Sequence, residues 1–340
     1  MHNRISFRAP LLLLALISGA AARAQSSSVK LIHTVKLPGY SGDFDHFAAD
    51  FDRNRLLLAA EDHGTVEVFD LKTSAHLKTV TGFGNPHSIL VRKGTPTVFI
   101  TDSAKLNATI RDANTYVKKQ TVNLTPGSDT ARYDPASNTL YVVTGGKDVD
   151  MNTAKLEAVN PDTGATLASI TFPDNHVEAM AFNADDPRLF INLTQTNKLA
   201  VVDRRKMKVL ATWPVPPAQQ NAMVAFDSAQ HRLYVVCRSP GKVVVMNSDT
   251  GAVVGTQPAP LRADEVQYDS VAHRLYVPGG EGYMGLYDTS DPNHLKLLEK
   301  VSTAPGAKTG LLIPDMHRLF LAVSPGESKT VAKVLTYEVQ

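Results

Sequence analysis

The chain has 340 residues, of which 43% are hydrophobic and 20% charged, with 35 basic residues against 33 acidic. That apolar share excludes a disordered protein, and the near-neutral balance offers little counterion release to a nucleic acid. A single cysteine excludes a disulfide-stapled scaffold, and a chain of this length can bury a large core without one.

The first 24 residues hold Arg4 and Arg8, then an apolar run from Leu11 to Ile17, then Ala22-Arg23-Ala24. A charged start, an apolar middle and a small-x-small ending describe a secretory signal peptide, and the run is too short to span a bilayer. Cleavage after Ala24 is expected, so the mature protein is predicted to be periplasmic or secreted with no membrane span. The 35 basic residues less Arg4, Arg8 and Arg23 leave 32 against 33 acidic, so no nucleic-acid partner is indicated. Residues 25–28 read as a short linker and 29–340 as one domain.

Val29 to Leu37 alternates like a strand. After it, one phrase recurs seven times: RLLLA from Arg55, TVFIT from Thr97, TLYVV from Thr139, RLFIN from Arg188, RLYVV from Arg232, RLYVP from Arg274 and RLFLA from Arg318. Its anchors are Leu56, Val98, Leu140, Leu189, Leu233, Leu275 and Leu319, separated by 42, 42, 49, 44, 42 and 44 residues. A period in the low forties built from short strands is the signature of a β-propeller with one blade per repeat.

The fifth repeat shows how a blade is written. AMVAFD from Ala222, RLYVVCR, KVVVMN and AVVGT are strand-length runs separated by Ser, Pro, Gly and Asp turns, giving four antiparallel strands, a to d from the axis outward. The seventh repeat ends after Val331 to Val339, one outer strand short. Val29 to Leu37 can supply it, which removes two exposed sheet edges. The predicted fold is therefore all-β: a seven-bladed propeller of four-stranded antiparallel blades, closed by the N-terminal strand completing the last blade. It is expected to be monomeric.

TLYVVTGG from Thr139 is similar to the motif that names the YVTN repeat, and residues 29–340 resemble the YncE-like family built from such repeats. The resemblance implies an exported seven-bladed propeller and no particular reaction, because the motif is blade scaffold. Trp-Asp repeat endings, sialidase Asp-boxes and kelch paired glycines are absent.

Loops leading into strand a and loops joining b to c meet at one mouth of the central channel, where function usually sits. Counting back ten to twelve residues from each anchor reaches His46, His87, Asp129, Glu178, Asn221, Asp264 and Lys308. Asp43, Asp45, His176 and Glu265 are close neighbours. The b-to-c loops add Glu61-Asp62-His63-Gly64, Asp102 with Lys105, the insertion Lys147 to Asp150, Arg238 and Gly279-Gly280-Glu281-Gly282. The insertion causes the 49-residue step, so blade three is expected to overhang the mouth. His231, His273 and His317 precede Arg-Leu on the opposite face and are expected to be turn residues.

The ring of His, carboxylate, amide and lysine suits a binding site for a small ligand, a metal or a protein partner, with ligand candidates His46, His87, Asp129, Glu178, Asn221, Arg238, Asp264, Glu281 and Lys308. A divalent metal is the candidate cofactor, with His46, His87, Glu178 and Asp264 as ligands, since imidazole and carboxylate suit Zn, Mn, Fe or Cu. No His-Glu-x-x-His or Cys-x-x-Cys supports it locally. The alternative function is a metal-dependent hydrolase or lyase acting on a lactone, sugar acid or ester, with a histidine moving the proton and Arg238 or Lys308 holding a carboxylate. Covalent catalysis lacks a Gly-x-Ser-x-Gly elbow, and Cys237, within an apolar strand, reads as a buried side chain.

Overall fold

A computed structural model describes residues 28–104, 107–326 and 331–340; the expected signal peptide, most of the linker and Lys105 lie outside the described residues. Seven four-stranded antiparallel sheets follow one another along the chain. Blade one consists of Phe47–Asp50, Arg55–Ala60, Thr65–Asp70 and His76–Val80, and the later blades repeat this order. The middle strands carry nearly continuous apolar runs because a neighbouring blade covers each face. The outer strands, such as Thr166–Phe172, face solvent and alternate.

The phrase that revealed the fold also forms its core. All seven anchors are buried, at most 1% exposed, and the apolar clusters lie between blades, as where Leu233 of blade five packs with Phe190 and Val201 of blade four. In three blades the arginine before the anchor has a separate task. Arg55 donates to the carbonyls of Ala113 and Asn114 at 3.1 and 3.2 Å, Arg188 to that of Ser248 at 2.6 Å, and Arg232 to that of Pro292 at 2.7 Å. Each ties its blade to the c-to-d turn of the next through a charge-assisted bond.

The ring closes as expected. Val29–Leu37 runs antiparallel beside Ala332–Val339, from Val29 opposite Val339 to Leu37 opposite Ala332, and is the outer strand of the last blade. No helix among the described residues is long and apolar enough to cross a membrane.

His231, His273 and His317 are turn residues with left-handed backbones, φ 55°, 52° and 51°, and Asn54 and Asn138 take the same place at 52° and 48°. Asparagine and histidine tolerate this region better than most side chains. Glycine there relieves the steric cost but loses more entropy on folding. Changing any of the three histidines to glycine is expected to alter unfolding free energy by about 1 kcal/mol or less, measured by urea denaturation.

The third-blade insertion is a short 3-10 turn, Lys147–Val149. Lys147 N–H donates to the Asn175 carbonyl at 2.7 Å, drawing the turn across to blade four. Gly127 lets it settle: a Cβ there would lie 2.9 Å from a Val149 methyl.

Candidate functional site at the channel mouth

Asp45 is the centre of the mouth. Its backbone N–H donates to the Ala59 carbonyl at 2.9 Å, and the neighbouring loop is held where Asp62 accepts from Asp43 N–H at 2.8 Å, with Gly42 too close to Asp62 for any side chain. One Asp45 oxygen lies 2.6 Å from His87 Nδ1, and the other 3.5 Å from His46 Nε2. His87 Nδ1 is also 3.5 Å from Asp129, and His46 Nδ1 is 3.4 Å from Glu265. Glu61 completes the lobe. Donor atoms of Asp45, His46 and Asp129 all lie within 4.8 Å of one another, and so do those of Asp45, Glu61 and His87.

The charges in this lobe act on one another at close range. Burial opposes a charge on His46, but Asp45 and Glu265 prevail and push the imidazole up to about 10. His87 also rises to about 10, with burial overcome by Asp129 and Asp45. Burial pushes Glu61 up to about 7 and Asp129 up to about 6, against the attraction of His87. For Asp45, burial is outweighed by the two imidazoles, and its carboxyl falls below the usual range.

A second lobe is built of ion pairs. Glu178 accepts from His176 at 2.7 Å and faces Arg238 at 3.4 Å. Arg238 also binds Asp264 and donates to the Ala263 carbonyl at 3.0 Å. Lys308 bridges Asp264 and Asp43, each at 2.8 Å. Its ammonium is held above the ordinary lysine range, because Asp264 and Asp43 outweigh burial.

The four candidate metal ligands therefore do not come together. His46 and His87 sit with Asp45, Glu61 and Asp129, whereas Glu178 and Asp264 are committed to cations in the other lobe. Asn221 is not at the mouth surface at all: it is fully buried, and its amide donates to Asn192 Oδ1 at 2.7 Å and the Lys198 carbonyl at 2.8 Å. Glu281 is exposed beside Tyr283 and lines neither mouth cavity. Asp45, Glu61 and Glu265 belong in the site instead. All three were visible as neighbours or b-to-c loop residues, but a fixed count from the anchors does not select them.

Two cavities adjoin. One of about 470 Å³ is lined by Glu61, His87, Ser103, Asp129, Lys147 and Glu178 among others. The next, about 310 Å³, shares Lys147, His176 and Glu178 with it. A cavity of about 460 Å³ at the a-to-b turn end, between Arg132, Phe182, Phe226 and Tyr268, contains no imidazole.

Ser103 Oγ lies 2.9 Å from His87 Nε2, so Ser103, His87 and Asp45 stand in the order of a nucleophile, base and orienting acid. A base must be able to accept a proton, however. In the cation-free protein Asp129, Asp45 and Glu61 push the His87 imidazole up, so Ser103 acquires no base there, and a cation would bind His87 by displacing that proton. Cys237 is no substitute: it is fully buried, and burial pushes its thiol up to about 12. It is expected to resist iodoacetamide at pH 8 in the native protein and to react fully once unfolded, which mass spectrometry would show.

The architecture is that of a seven-bladed β-propeller. Among solved structures, the WD40 repeats of RRP9 superpose with a TM-score of 0.73 over 90% of this chain and 97% of that one, at 10% sequence identity. In all, 1706 chains of known structure match, so the likeness defines the fold and no activity. No family model and no curated protein matches the sequence.

Proposed function

We propose that this protein is an exported binding propeller of the YncE-like, YVTN-repeat class, whose channel mouth holds a divalent cation for recognition of a small ligand. The carrying observation is the position of Asp45 in two groups of donor atoms, one completed by His46 and Asp129, the other by Glu61 and His87. Two imidazoles with three carboxylates suit first-row metals such as zinc or manganese better than calcium, which prefers oxygen throughout. The leader-like first 24 residues and the TLYVVTGG phrase support the export and the class.

The hydrolase or lyase reading needs a proton-transfer group free of the cation. Both imidazoles of the Asp45 lobe belong to its donor set, and Glu178 is tied to His176 and Arg238. Binding is therefore the better reading.

Titration of chelator-treated protein with Zn(II), Mn(II) and Ca(II) by calorimetry tests it. One zinc or manganese per chain is expected, with affinity lost in His87→Ala and retained in His231→Gly. Absence of binding at millimolar cation overturns the proposal.

A further inference from the structure

We infer that the cavity beside the Asp45 lobe takes a small hydroxy acid of sugar-acid size, its carboxylate on Arg262 and its hydroxyls toward the cation; this rests on the reading of the mouth as a cation site. The walls of this 310 Å³ cavity carry four cations, Lys147, Arg238, Arg262 and Lys308, against two carboxylates, Glu178 and Asp264. Arg238 and Lys308 are already occupied in neutralising those carboxylates. Among the described residues Lys147 forms its ion pair with its exposed neighbour Asp148, at 2.9 Å. Arg262 has no hydrogen bond or ion pair among the described residues, so its planar fork of donors remains available.

Arg262 is exposed at the rim of the cavity. Its backbone is left-handed, φ 55°, a region that glycine or asparagine enters at less cost. Its side chain lies against Gly280, where an added Cβ would be 3.3 Å from Nε and 3.5 Å from Cζ. Gly280 thus leaves room for the guanidinium, while Gly279 leaves room for Pro260.

The mixed walls select among anions. A guanidinium fork matches a carboxylate through two parallel hydrogen bonds. Glu178 and Asp264, exposed to the same cavity, repel an anion that has no donors and accept from hydroxyl groups. A polyhydroxy carboxylate satisfies both kinds of wall, whereas a phosphate dianion brings a second negative charge and only one hydroxyl. The two cavities share Lys147, His176 and Glu178 and so lie side by side, which sets the far end of a molecule held on Arg262 on the side of the Asp45 lobe.

Calorimetry on the full chain loaded with Mn(II) tests this, with gluconate and galacturonate as probes and glucose, galactose and inorganic phosphate as comparisons. The two acids are expected to bind and the neutral sugars not. Arg262→Gln should weaken acid binding about tenfold, as expected for one lost charge-assisted contact, while Mn(II) affinity and melting temperature stay unchanged. Lys147→Gln should weaken it less. Acids that bind no tighter than the neutral sugars, phosphate that binds tighter than either acid, or an Arg262→Gln protein with unaltered affinity would each overturn the inference while leaving the cation site standing. If no Mn(II) binds, the cation reading fails, and acid binding to the cation-free protein with its Arg262→Gln comparison still decides the role of Arg262.

Discussion

Asp45→Ala is expected to abolish zinc binding, lowering affinity about a hundredfold or more. Loss of a group that merely orients a ligand costs about 10- to 100-fold. Asp45 is in both donor groups and also holds His87 at 2.6 Å, so its removal takes away a ligand and an orienting partner together. Competition with a chromophoric chelator measures the change. Asp129→Ala leaves the Glu61 and His87 group intact and should lose less. Equal losses in the two variants would show that Asp45 does not join the groups, and an unchanged affinity in Asp45→Ala would remove this lobe from consideration.

Arg204→Ala is expected to destabilise the fold by about 3–5 kcal/mol, the usual result of stranding a buried charge. Arg204 is buried between blades three and four, its Nε donating to Asp134 Oδ2 at 3.2 Å, where the two side chains are 0% and 2% exposed. It also donates to the carbonyls of Asp186 and Ala184, and it lies 4.8 Å from the Phe182 ring centre. Burial raises the Asp134 carboxyl, but Ser137, the Ala136 N–H and Arg204 outweigh it, so the group titrates below its ordinary value of 3.8. A carboxyl depressed in the folded state contributes stability that is present above that ordinary value and is lost as pH falls through the folded value. Urea denaturation at pH 7 should show the full deficit of Arg204→Ala, and the deficit should shrink in strong acid. Arg204→Met with Asp134→Leu should recover most of the loss, because neither charge is then stranded. A double variant as unstable as the single one would assign the cost to packing.

Most of the architecture was legible because each repeat has to bury the same anchor against the same neighbour. The outward strand pattern of Val29 to Leu37 even identified the partner that completes the last blade. The mouth was legible only to within a residue or two, and the strands explain why. Register shifts fall where strand a begins in several blades: between Pro86 and Ile89, Val177 and Met180, Asn221 and Met223, and Ala307 and Thr309. A bulge adds a residue and re-aims its neighbours, and a one-residue slip turns a side chain to the other face. Counting from an anchor therefore cannot say that Asn221 turns inward between blades. His231, His273 and His317 were placed correctly because no bulge separates them from their anchors.

The closing strand has a consequence for how the molecule can be rebuilt. Val29 and Val339 are direct partners, and Gln340 N–H donates to the Ser28 carbonyl at 3.1 Å, so both ends of the ring meet on its outer rim. A short flexible linker could join them there, and the polypeptide could be opened instead at a d-to-a loop elsewhere on the perimeter. Such a circular permutant would keep every blade and the whole mouth while moving the seam, since nothing in a closed ring of like units requires the backbone to start at one blade and not another.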